Sequence, residues 1–140
     1  MRWMTLLALL LGLSIAVGGA GDLSAGHPEH DDQPLVEKAR LQAVMRRYIE
    51  QQAIDGALLH LDFEAGQVLP LYPTRAHPMI FTMGEHFVLC TDLTDGEGRN
   101  LPLDLYIAAK NRGYAVFKAE IGNRAPLKKL MQDGLVRRLP

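Results

Sequence analysis

Between Leu59 and Ile121 the chain alternates apolar with polar residues in short runs and breaks the runs with glycine or proline, a pattern that a sheet of short antiparallel strands satisfies. Leu59, Leu61 and Phe63 alternate with His60 and Asp62, and Ala65-Gly66 turns the chain into residues 67–72, where Pro70 marks an edge or a strand end. Residues 73–76 are a connection. A strand over 78–82, a turn at Met83-Gly84 and a strand over 85–93 follow, then a glycine-containing loop over 95–100. In the last hairpin, Asn111-Arg112-Gly113 reads as a three-residue loop with glycine in the left-handed position, which sets Lys110 opposite Tyr114. Counting back, Ile107 faces Phe117, Leu105 faces Ala119 and Leu103 faces Ile121, so that side is wholly apolar and meets the core.

Helical spacing flanks the strands. Leu41, Val44, Met45, Tyr48 and Ile49 recur at three- and four-residue intervals, with Arg40, Arg46, Arg47 and Glu50 turned to water. Asp31 or Asp32 offers an N-cap, Pro34 suits the first turn, and Asp55-Gly56 closes the helix. Near the other end Asn123 caps a short helix bearing Leu127, Leu130 and Met131, and Gly134 stops it. The expected fold class is therefore α+β: an N-terminal amphipathic helix packed on a largely antiparallel β-meander, with a short C-terminal helix. Cystatin-like and similar helix-on-sheet modules share this order, but an order of elements is no motif, and no family is assigned on it.

The chain's beginning suggests an address. Arg2 precedes the apolar run Leu6 to Val17 and the small residues Gly18, Gly19 and Ala20, the layout of a secretory signal. The run is shorter than the about 20 residues that span a bilayer. Residues 1–20 therefore read as a cleaved signal peptide, 21–33 as a flexible leader containing His27, His30 and several aspartates, 34–136 as one domain and 137–140 as a basic tail. The expected location is secreted or periplasmic, with the membrane met only through an uncleaved signal. Cys90 is the chain's only cysteine, so no internal disulfide can staple the fold and packing alone must hold it. A formal charge of −1, which becomes −2 once Arg2 is lost, argues against nucleic acid as a partner.

Strand parity nominates a functional face. If Leu59, Leu61 and Phe63 meet the helix, His60 and Asp62 point away. If Phe87, Leu89 and Leu93 face in, then His86, Val88, Cys90 and Asp92 face out. The Met83-Gly84 turn pairs Phe81 with His86, Met79 with Val88 and His77 with Cys90. The outward set then holds His60, Asp62, His77, Met79, His86, Cys90, Asp92, Asp104 and Glu120, with Tyr106 and Lys118 among them.

Imidazole, thioether and thiol together suit copper or zinc, with His77, Met79 and Cys90 as the minimal ligand set. His86 and Cys90 lie four residues apart on one strand, roughly 13 Å, and cannot share an ion. Asp104 opposite Glu120 is unfavourable between like charges and needs an offset from Lys118, Arg99 or Arg124. The same carboxylates, or Cys90 with His77 as base, are the candidates for an enzyme. No nucleophile elbow, phosphate loop, HExxH or CxxC motif accompanies them. The leading expectation is a small exported binding or accessory domain, not an enzyme and without a cofactor. It presents His60, Asp62, His86, Asp104, Tyr106, Lys118 and Glu120 to a protein or small ligand. A periplasmic copper or zinc handling protein is the alternative.

Overall fold

The computed structural model describes residues 33–110 and 113–140, leaving aside the side chains of residues 75–78. The expected signal segment, the leader up to Asp32 and the aspartate cap lie outside the described residues. Helix α1 (Gln33–Gln52) is followed by strands β1 (Leu58–Asp62), β2 (Gln67–Met83), β3 (His86–Thr94), β4 (Asn100–Lys110) and β5 (Gly113–Ile121), helix α2 (Ala125–Gln132) and strand β6 (Arg137–Arg138). The class is α+β, and all pairings are antiparallel, in the order β1-β2-β3-β4-β5 with β6 added to β2.

α1 forms where the apolar spacing placed it. Leu41, Met45 and Ile49 are buried, Val44 and Tyr48 pack beside them, and Arg40, Arg46, Arg47 and Glu50 are exposed. These side chains meet Leu71, Ile80, Leu89, Leu93, Leu103, Leu105 and Ile107 from one face of the sheet. Burial of that kind contributes about 25 cal/mol for each Å² of apolar surface removed from water.

The opposite face also carries a core. Phe81, Val88, Cys90 and Tyr106 are covered by Leu127 of α2 and by Val136, with Met83 and Leu130 at the margin. Five consecutive residues of β4, Leu103 to Ile107, are consequently buried, because helices lie against both of its faces. Asn123 Oδ1 accepts the Ala125 N–H at 3.0 Å at the start of α2, and Gly134, at φ 72°, follows its end.

Register departs from expectation in four places, each with a local cause. The β2–β3 turn is Gly84-Glu85, not Met83-Gly84, because Met83 pairs with His86 and glycine takes the positive φ (61°) that the first loop position requires. Moving the turn by one residue shifts each pairing by two, so the faces of β3 are preserved. Further along, Ala76 pairs with Thr91 and Ile80 with Leu89, so residues 77–79 oppose Cys90 alone. A proline with no N–H to donate, Pro78, sits in that bulge.

In the last hairpin Lys110 pairs with Gly113, so only two residues lie between the strands. The expected pairs Leu105 with Ala119 and Leu103 with Ile121 form, but Ile107 meets Val116 because Phe117 is bulged out. Phe117 therefore leaves the core face and packs edge-on against His86, with ring centroids 5.7 Å apart.

β1 has the opposite parity to the one expected. Leu58 is buried against α1, whereas Leu59, Leu61 and Phe63 are exposed, Phe63 to 87%. His60 and Asp62 consequently share the side of Leu58, because side chains two apart on a strand point the same way. Leu58, one residue before the alternating run, is the buried position that sets the parity of the strand.

Residues 137–140, expected as a basic tail, run along β2. Arg137 and Arg138 pair with Thr82 and Phe81, and the Leu139 N–H donates to the Ile80 carbonyl at 2.8 Å.

Candidate functional site

The side chains that collect on the α2 side of the sheet come from four elements. β3 supplies His86 and Cys90, β4 supplies Asp104 and Tyr106, β5 supplies Lys118 and Glu120, and the turn before α2 supplies Arg124. Cys90 pairs with Asp104, Asp104 with Glu120, and Tyr106 with Lys118. The like-charge pair Asp104 and Glu120 is thus present, and each carboxylate has its own cation. Arg124 Nη2 stands 3.2 Å from Asp104 Oδ1, and Lys118 Nζ stands 2.8 Å from Glu120 Oε2.

This face is not the solvated surface that alternation alone implies. Asp104 is 1% exposed, and Cys90 and Tyr106 are each 4% exposed. Burial, reinforced by the Asp104 carboxylate beside it, pushes the Cys90 thiol up to about 12. The thiolate, which is the form that attacks carbonyls or ligates metals, is therefore disfavoured. Burial likewise raises the Tyr106 phenol.

His60 and Asp62 do not join this group. Asp62 Oδ1 accepts the N–H groups of Glu64 and Ala65 at 3.0 Å each, so its carboxylate closes the β1–β2 turn. Those bonds, Ala65 first, hold its pKa below the usual carboxylate value. His86 packs on Phe117, and its Nδ1 is buried without a hydrogen-bond partner.

Beside Cys90 lies a cavity of about 220 Å³ lined by Met79, Phe81, Cys90, Arg124, Leu127, Lys128 and Met131. The bulge of β2 carries Met79 into its wall, α2 supplies Leu127, Lys128 and Met131, and Arg124 belongs to both the cavity and the Asp104 pair. The expected metal set is thus brought together in part, since Met79 and Cys90 share this cavity. The side chain of His77 lies outside the described residues. Among the described residues no three His, Cys, Asp or Glu side chains gather in a way that could hold a metal ion.

The sequence reasoning missed the cavity and the role of Arg124 in it. Its signal was Leu127, Leu130 and Met131 on a helix of only eight residues: a stripe with nothing to cover unless the second sheet face is apolar. Compared with protein families, with curated proteins and with solved structures, the chain matches none.

Proposed function

We propose that this protein is an exported, non-enzymatic binding domain whose ligand occupies the cavity between α2 and the β2–β3 hairpin. The observation that carries the reading is the cavity's composition. Met79, Phe81, Leu127 and Met131 offer an apolar lining, and two cationic side chains, Arg124 and Lys128, complete it. Binding sites combine apolar walls with a few placed polar groups in this way. A volume of about 220 Å³ admits a single ring or one short chain, given that an apolar cavity of about 150 Å³ accepts benzene. The groups that could do chemistry are poorly poised for it, because the Cys90 thiol is held protonated and Asp104 lies against Arg124. Export rests on the order of Arg2, the apolar run and the small residues in 1–20.

The test is titration with a neutral probe, 1-octanol, followed through the methyl resonances of Met79 and Met131. Saturable shifts confined to those methyls and their neighbours support the reading. Shifts spread along the surface, or none, defeat it. Copper or zinc handling is the competing reading, favoured by Met79 standing beside Cys90 and opposed by the buried, protonated thiol. A rise in melting temperature with copper(I) that Cys90→Ala abolishes would replace the first reading with the second.

A further inference from the structure

We infer that two copies of this chain stack through the outer face of β1 and the first half of β2, forming a twofold dimer at a surface separate from the cavity. The ladder defines that face. Leu59 pairs with Pro70 and Leu61 with Val68, so these four side chains share one side, and Phe63 and Tyr72 extend it by the two-residue period of the strands. Leu58 and Leu71 point the other way, into the core under α1. The core covered by α2, with Phe81, Val88, Cys90 and Tyr106, includes none of these six residues, and none of them lines the cavity.

The face is bare. Leu59, Leu61, Val68 and Tyr72 are each about half exposed, Phe63 is 87% exposed, and Pro70 is exposed beside them. Contiguous apolar surface of this kind marks a contact site.

Area, charge and border select a second copy as what covers it. At these exposures six side chains offer roughly 600 Å² per copy, given the about 150–250 Å² that one aromatic side chain can bury. Two copies then reach about 1,200 Å², where stable specific interfaces begin.

None of the six side chains is charged, and the Tyr72 hydroxyl is their one polar group, a composition that suits the dry centre of a homodimer contact. Among the described side chains, the charges nearest the face are Asp62, Glu64, Asp92, Asp95 and Glu97 against Arg99. Arg99 is engaged by Asp95 at 2.6 Å and Glu97 at 3.5 Å, and its charge reaches Asp62. That negative balance repels anionic lipid headgroups and nucleic acid.

The border towards β3 is polar. Thr94 pairs with Tyr72 across the ladder, and its Oγ1 donates to Asn100 Oδ1 at 2.8 Å and stands 3.4 Å from Thr74 Oγ1. An apolar centre with a polar fringe is the anatomy of a protein contact. With no charged group to choose a different partner, the face is its own complement, and a twofold axis closes the assembly after two copies.

The experiment is sedimentation equilibrium of the purified protein over about a hundredfold range of concentration, with the Leu59, Leu61 and Val68 methyl resonances followed on the same dilution. A reversible equilibrium between monomer and dimer is expected, with a micromolar dissociation constant. Methyls of this face should shift on dilution while those of Met79 and Met131 stay in place. Leu61→Glu sets an unpaired charge in the contact and should weaken the dimer at least about tenfold. In dilute solution it should leave unfolding unchanged, because the side chain is exposed in the monomer. If Leu61→Glu fails to fold, Val68→Glu makes the same test from the neighbouring strand. The parent's melting temperature, which rises with concentration for a dimer, needs no variant.

A monomer at every concentration, polymers that grow without an end point, or a dimer that both substitutions leave intact overturns the inference. A monomer that binds phosphatidylcholine vesicles, and loses them with Leu61→Glu, assigns the face to lipid and overturns it as well.

Discussion

Arg124 reaches from the turn before α2 to within 3.2 Å of Asp104, a carboxylate at the middle of β4 that is 1% exposed. Through this contact the short helix is tied to the sheet, and the cavity between them acquires its charge. Asp104 would otherwise face Glu120 across the ladder and Cys90 beside it with no opposite charge at hand. Arg124 is therefore both a structural partner and a wall of the proposed site, which gives its substitution two separable effects.

Replacing Arg124 by Gln should destabilise the protein by about 3 kcal/mol, because it leaves a buried carboxylate without its cation. Asp104→Asn should cost less, since Arg124 is 30% exposed and can turn to water. The double variant should be more stable than the sum of the two losses predicts, with a coupling of about 0.5–3 kcal/mol. Urea unfolding of the four proteins measures this, and strict additivity would remove the pair from the account.

Stability should fall in alkali as the buried thiol is forced to ionise. The folded Cys90 value, about 12, lies above the ordinary 9.0, so stability is complete below pH 9 and declines as pH rises towards 12. Tyr114, raised from 10.0 to about 12 by burial and by donating its hydroxyl to Glu37, adds to the decline from pH 10. Cys90→Ala should flatten the first part of the curve and Tyr114→Phe the second. A disulfide reagent that labels folded Cys90 as quickly as unfolded Cys90 at pH 8 would contradict the burial.

Acid should act through the β3–β4 loop. Asp95 accepts the Arg99 and Glu97 N–H groups at 2.8 and 2.9 Å and pairs with the Arg99 side chain at 2.6 Å. These contacts, the Arg99 N–H foremost, hold its pKa below 3.8. Its contribution is therefore full above pH 3.8 and is lost as pH falls through the lower folded value. Asp95→Asn should lower the melting temperature at pH 7 and narrow its gap to the parent at the acid end. A gap that stays constant between pH 7 and pH 2 would speak against this role.

The parity of β1 can be checked by a pair of substitutions. Leu58→Ala should cost about 2–5 kcal/mol, as for other buried leucines. Phe63→Ser, at an exposed turn position, should change stability by no more than about 0.5 kcal/mol. The reverse ranking would restore the alternation first read from Leu59, Leu61 and Phe63.

Deleting residues 137–140 should weaken the domain by about 1–2 kcal/mol, the scale of one or two net hydrogen bonds. Amide exchange should accelerate near Ile80, Phe81 and Thr82, which β6 and Leu139 now meet. Unchanged protection there would return the segment to a loose end.

Much of the fold was legible because its signals are local. Leu41, Met45 and Ile49 at helical intervals, and Leu103, Leu105 and Ile107 on one side of β4, could be read without knowing what they touch, whereas α1 ends at Gln52 and Asp55-Gly56, expected to close it, turns the chain inside the Ile54–Ala57 bridge instead. The pairings of Leu105 with Ala119 and of Asp104 with Glu120 followed by counting. Counting failed where one residue was bulged, as at Phe117, and where a run was entered one residue late, as at Leu58. Neither departure leaves a mark on hydrophobic alternation, since each trades one register for another of equal local quality.

The candidate site was legible only as a set of residue types on one face. Alternation shows that Cys90, Asp104 and Tyr106 share a side, because side-chain direction along a strand depends on the backbone alone. Whether that side meets water or a helix depends on where α2 lands, eight residues folding back over β2, β3 and β4. Burial, the raised thiol pKa, the pairing of Asp104 with Arg124 and the cavity all follow from that return. They are properties of distance between segments far apart in the chain, and local spacing carries no record of them.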